Sequence, residues 1–170
     1  KPEKVALIDS LDNIEITYGE LADKALRLAS VLKDGGVKKG DKVAITLERG
    51  INQIVSVVAI LALGACYVPI SVEQPSHRRE CIHKRIGIRY VISNEEVINK
   101  VKWSENIKIF DLEECRDKKA LTTLEKVDPS LSAYIILTSG STGEPKGVEI
   151  THYNAWNTIE SINYMYHVTY

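Results

Sequence analysis

Cysteine, proline and methionine are scarce in this sequence, and neither sign of charge dominates it. The three cysteines, Cys66, Cys81 and Cys115, form no C-x-x-C pair and show no metal-like spacing to a histidine. That excludes a disulfide framework and argues for a reduced, intracellular, cytoplasmic protein with buried or inert thiols. Lys and Arg total 22 against 23 Asp and Glu, a net charge of −1. The basic excess that phosphate-backbone binding requires is missing, so a nucleic-acid partner is not expected. The basic pairs Lys38-Lys39, Arg78-Arg79 and Lys118-Lys119 sit among acidic and polar residues and read as solvated faces. No secretory signal opens the chain. It starts Lys1-Pro2, its one methionine is Met165, and it stops in mid-pattern at "YHVTY", so it is expected to be a piece of a longer protein.

Long apolar runs are also nearly absent. The exception is "INQIVSVVAILALGACYVPISV" (51–72), uncharged for about the length of a bilayer span. Asn52, Gln53, Ser56, Gly64 and Pro69 interrupt it. It divides into a helix over 51–63 and, beyond Gly64, a buried strand "ACYVPI", so a membrane is not expected.

What is present is a regular alternation. "KVALID" and "IEITY" read as strands around the turn "SLDN". Thr17 and Glu20 make a capping box ahead of Leu21, Ala25, Leu28, Ala29 and Leu32 at helical spacing, and Gly35-Gly36 end that helix. "KVAITL", "IRYVIS" and "IKIF" read as strands, with a helix after Pro75, and the charged stretch 111–130 as a surface excursion. "SAYIILT" and "GVEI" flank a polar loop, and Thr151 caps a last helix whose apolar face is Ala155, Trp156, Ile159, Ile162 and Tyr166. Strands alternating with helices predict an α/β fold with a mostly parallel sheet and flanking helices.

The chemistry concentrates in "LTSGSTGEPKGVEITH" (137–152). Gly140, Gly143 and Gly147 permit positive φ and close approach of an anion to the main chain, while Thr138, Ser139, Ser141 and Thr142 supply hydroxyl donors. Pro145 stiffens the exit and Lys146 offers a cation for phosphate oxygens. It is not a Walker loop, because Lys146 follows proline and a strand, not a helix, comes next. The alternative is a Ser/Gly-rich hairpin that merely joins two strands.

"YIILTSGSTGEPKGVEITH" (134–152) resembles the AMP-binding signature of the adenylate-forming superfamily. "ITYGEL" (16–21) and "LALGACYVPI" (61–70) resemble the first two core motifs of nonribosomal peptide synthetase adenylation domains, in family order. Ser71-Val72 replace the Asp-Pro usual after the second motif. "SVEQPSHRR" and "NTIESIN" look more like the branch that accompanies heterocyclising modules and often activates cysteine, serine or threonine. The resemblance implies that residues 1–170 are the N-terminal part of an adenylation domain, the remainder of its large lobe and a small C-terminal lobe being absent. The implied reaction makes an aminoacyl-AMP from ATP and an amino acid and transfers it to the phosphopantetheine thiol of a carrier domain. Thr138, Ser139, Gly140, Ser141, Thr142 and Gly143 would hold phosphates, and Lys146 would act both in binding and in catalysis, with Mg²⁺ on the phosphates and no metal-ligating residue in this segment. Carrier and condensation or cyclisation domains are the implied partners. No Tyr-Gly-Pro-Thr-Glu-like stretch and no Thr-Gly-Asp is present, so the segment alone is expected to be inactive. An acyl-CoA or aryl-acid ligase of the same superfamily, or a non-catalytic module, are the alternatives.

Overall fold

The computed structural model describes residues 1–10, 12–124, 126–139 and 145–168, the side chains of Ser139 and Pro145 excepted. The chain opens with an antiparallel hairpin of β1 (Val5–Asp9) and β2 (Ile14–Thr17), in which Asp9 pairs with Ile14. The expected capping box starts α1 (Tyr18–Asp34): Glu20 N donates to Thr17 Oγ1 at 3.2 Å and Thr17 N donates to Glu20 Oε2 at 2.7 Å. Those bonds from Thr17 hold the Glu20 carboxyl below its ordinary value.

Five parallel strands follow: β3 (Lys42–Ile45), β4 (Cys66–Pro69), β5 (Tyr90–Ser93), β6 (Lys108–Asp111) and β7 (Ser132–Ser139). With the antiparallel β8 (Pro145–Thr151) they make one sheet in the order β6-β5-β3-β4-β7-β8. The parallel strands are apolar at successive residues because both faces of the sheet are covered. Val43, Ile45, Ile92 and Phe110 face α1 and α2 (Ile51–Ala62). Ala44, Val68, Val91 and Ile135 face α3 (Ser76–Ile86) through Ile82.

The long apolar run resolves as expected into α2 and β4, separated by Gly64 at φ +66, where a side chain would be strained and would meet Val127 and Lys39. No helix among the described residues is long and apolar enough to cross a membrane. One helix had not been anticipated, α4 (Glu95–Lys100). Its signal is local: Asn94 Oδ1 accepts from Val97 N at 3.0 Å, and Glu95 and Glu96 occupy the first turn. The 111–130 excursion is fastened down. A 3₁₀ turn at Leu112–Cys115 buries Leu112, and Arg27 of α1 donates to the carbonyls of Arg116 and Lys118 at 3.4 and 2.8 Å.

Thr151 caps α5 (His152–Met165), accepting from Asn154 N at 3.2 Å. The predicted apolar stripe forms but is not covered: Trp156, Ile159 and Ile162 remain 61%, 52% and 48% exposed, and no residue of the helix is buried.

At the end of α1 a glycine is demanded by packing. A Cβ on Gly35 would lie 2.1 Å from Phe110 Cε1 and 2.5 Å from Cζ, although the backbone there, at φ −73, would suit any residue. Gly35→Ala should therefore destabilise the fold by about 1–3 kcal/mol through overpacking. Urea denaturation measures this, and a Phe110→Leu background, which removes the ring, should shrink the penalty. An equal penalty in both backgrounds would locate the cost elsewhere.

One buried pair makes the fold acid-sensitive. Arg79 and His83, one turn apart on α3, are 3% and 4% exposed. Arg79 Nη2 donates to the carbonyls of Val72 and Gln74 at 3.2 and 2.7 Å, tying down the turn after β4. Burial, then the neighbouring Arg79 charge, pushes the His83 imidazole down to about 4. The unfolded chain takes up this proton near the ordinary value of about 6.5, the folded chain only near 4, so protons favour unfolding between the two. Stability from this group is intact above about pH 6.5 and declines by roughly 2–3 kcal/mol as pH falls toward 4. Denaturation curves across that window should flatten in His83→Leu relative to the parent, and identical slopes would remove His83 as the cause.

Candidate functional site

The hydroxyl-rich segment is built on the end of the sheet. β7 lies parallel to β4, with Tyr67 opposite Tyr134 and their rings stacked at 5.2 Å between centroids. Its own carboxyl end therefore lies on the side of the sheet where β3, β4 and β5 end, the edge where open α/β sheets take ligands.

The strands reach further into the segment than expected. The polar loop expected between "SAYIILT" and "GVEI", an exposed loop over 138–147, is shorter than that: Thr138 pairs with Lys146 and Ser139 with Pro145, so the ends of that span belong to an antiparallel hairpin. β8 is an edge strand, paired only with β7. Pro145, which has no N–H, is tolerated at its first residue. The hairpin and the phosphate readings are thus not exclusive.

This register brings two predicted site residues together. Thr138 and Lys146 are directly opposed on one face, both exposed, and Thr138 Oγ1 donates to the Lys146 carbonyl at 3.3 Å. Ile136 and Val148, the next pair on that face, are 40% and 46% exposed, so the hydroxyl and the ammonium border an apolar floor. Gly140, Ser141, Thr142 and Gly143, and the Ser139 side chain, lie outside the described residues. Gly147 needs a different explanation from the one its sequence position offered. It is a strand residue opposite Leu137, and a Cβ there would lie 2.9 Å from Ile135 Cγ2, so its role is to let β8 close over β7. At the base of the hairpin the Ser132 hydroxyl donates to Glu149.

His152 is half-buried at the first residue of α5. Its backbone N donates to Leu131 O at 3.0 Å, its ring nitrogen Nε2 is buried without a partner, and burial lowers its pKa. The structure also shows a cleft for which the sequence carried no signal. About 270 Å³ opens beside the carboxyl ends of β3 and β5, lined among others by Lys24, Leu47, Arg49 and Asn94. Such a cleft depends on strand order, which no local pattern encodes.

Chemically, the hairpin sets an exposed threonine hydroxyl opposite an exposed lysine at a ligand-binding edge, an arrangement suited to oxyanions. A model of the AMP-binding enzyme family matches residues 1–170. The chain belongs to the AMP-binding enzyme family. Among its members, the protein named Anguibactin system regulator, from Vibrio anguillarum, is 40% identical over 167 residues, which are 98% of this chain and 16% of that protein. Phenyloxazoline synthase MbtB from Mycobacterium sp. (strain MCS) is 35% identical over 162 residues, 95% of this chain and 14% of that one. Crystal structures of the nonribosomal peptide synthetase FmoA3, bound to α-methyl-L-serine-AMP or to AMPPNP, match with a TM-score of 0.90 at 27% identity, over 99% of this chain and 18% of theirs. The resemblance to the N-terminal part of a synthetase adenylation domain is thereby borne out. This AMP-binding chain spans only about a sixth of its first relatives' length.

Proposed function

We propose that residues 1–170 are the N-terminal part of the large lobe of an adenylation domain that makes an aminoacyl-AMP from ATP and an amino acid. The observation that carries this reading is the pairing of Thr138 with Lys146 at the carboxyl edge of the sheet, inside a chain of the AMP-binding family. The carboxylate nucleophile is ionised at neutral pH and needs no general base. Its oxygen attacks the α-phosphorus, the new bond giving the mixed anhydride while the bond to pyrophosphate breaks. What the protein must supply is alignment and charge stabilisation on the phosphates. Thr138, Ser139, Ser141 and Thr142, with the backbone of Gly140 and Gly143, would hold the β- and γ-phosphates, and Lys146 would stand beside the departing pyrophosphate. No group of three or more His, Cys, Asp or Glu among the described residues is placed for a metal ion. Mg²⁺ carried in with the nucleotide would neutralise charge on its phosphates.

The acyl group would then pass to a phosphopantetheine thiol on a carrier domain, with condensation or cyclisation domains alongside, in the cytoplasm. A substrate with a heteroatom on its β-carbon is favoured. One relative is named a phenyloxazoline synthase, and an oxazoline ring closes through the hydroxyl oxygen of a β-hydroxy amino acid. Together with the "SVEQPSHRR" and "NTIESIN" segments this points to cysteine, serine or threonine.

ATP–pyrophosphate exchange on the full-length protein, scanned across the amino acids, tests the reading. Exchange should depend most on cysteine, serine or threonine, and Lys146→Ala should slow it by roughly tenfold to a thousandfold, the loss expected for one charge stabiliser. The effect should fall on turnover more than on amino-acid affinity, because charge on pyrophosphate grows in the transition state. Residues 1–170 alone should give no measurable exchange. Undiminished exchange in Lys146→Ala would remove the lysine from the mechanism, and exchange by the isolated segment would mean that the whole catalytic constellation lies within it.

A further inference from the structure

On the other face of the sheet from Thr138 and Lys146, a groove of about 600 Å³ runs between α3 and the segment 102–106. Its walls include Arg79 and His83, each at least nine-tenths buried. Beyond the two carbonyl contacts of Arg79 Nη2, donor capacity is left over: Arg79 Nε and Nη1 and both ring nitrogens of His83 have no hydrogen-bond partner. Native interiors rarely leave buried polar groups in this condition. Trp103 holds the guanidinium in place, its ring centroid 5.6 Å from Arg79 Cζ and its own Nε1 donating to Ile98 O at 3.1 Å.

The charged groups facing the pair set the sign of what fits. From α3 these are His77, Glu80 and Lys84, and from the opposite wall Lys102 and Glu105. Glu80 is engaged by Lys84 at 2.8 Å, and among the described residues no carboxylate pairs with Arg79. The sheet contributes only apolar side chains beneath. An arginine has donors and no acceptors, and an imidazole becomes donor-only once protonated. The missing partner is thus an acceptor carrying negative charge.

We propose that this groove is a binding site for a small oxyanion, phosphate or carboxylate in kind, held by Arg79 and His83 with Lys84 and Lys102 at the mouth. The anion would take the unused donors of Arg79 and favour the imidazolium of His83, so binding takes up a proton and strengthens as pH falls. It is independent of the hairpin and of the adenylation reading.

Hydrogen–deuterium exchange by mass spectrometry on the intact protein reads the groove locally. The probes are sodium phosphate and sodium citrate, against sodium chloride at equal ionic strength. A Lys146→Ala background disables the hairpin as a phosphate site. Peptides covering 76–87 and 101–107 should exchange roughly threefold or more slowly with an occupied groove, saturably, and more so near pH 6 than near pH 8. Lys102→Ala, a surface change that leaves the fold intact, should weaken the response, and His83→Leu should abolish both it and its pH dependence. Protection by phosphate alone assigns a phosphate ligand, by citrate alone a carboxylate, and by both the general oxyanion site. Protection no greater than chloride gives, or undiminished in His83→Leu, would overturn the proposal.

Discussion

The position of the hairpin depends on β7 lying against β4. The register pair Tyr67 and Tyr134, with stacked rings, joins the hairpin to the parallel sheet, and Ile135, one residue on, enters the core beneath α3. Because side chains alternate along a strand, anchoring Ile135 inward turns Tyr134, Ile136 and Thr138 outward on the opposite face. Lys146 follows by its pairing with Thr138. A slip of one residue would bury the threonine and expose Ile135 and Leu137, so the core contacts that fix the strand also aim the functional side chains.

Close approach has the same importance at two glycines whose own φ would suit any residue. Gly147 lets β8 pass over Ile135, and Gly35 leaves room for the Phe110 ring at the far edge of the sheet. Lys108, on the strand that carries Phe110, also donates to the Gly35 carbonyl at 2.8 Å, so the end of α1 and the outermost parallel strand are held together by packing and by a hydrogen bond. In both places the absent side chain is what permits the contact.

The two faces of the sheet are unequal in polarity. On the α1 and α2 side the core is aliphatic and aromatic, and the buried Ser56 of α2 donates its hydroxyl to the Asn52 carbonyl of its own helix at 2.8 Å. On the α3 side, Arg79 and His83 are buried beside an otherwise apolar cluster, and the guanidinium earns its place by capping the carbonyls of Val72 and Gln74. A basic pair inside the fold costs stability in acid, and that cost is tolerable only if the site does something an aliphatic residue would not.

The sequence alone settled whatever depends on neighbours a few residues apart. The Thr17–Glu20 box, the Thr151 cap, the division of 51–72 at Gly64 and the order of strands and helices are all hydrogen-bonding or periodicity effects within one or two turns. The run from Thr138 to Lys146 showed its chemistry for the same reason, its donors being contiguous in the chain. Even α4 was legible in principle, through Asn94 and the two glutamates after it. Tertiary structure decided the rest. That Thr138 faces Lys146, that Gly147 serves packing rather than a turn, that His83 is buried beside Arg79, and that the apolar stripe of α5 stays open all follow from which distant segments meet. Those meetings are set by burying two faces of one sheet at once, a condition no local stretch of the sequence can express.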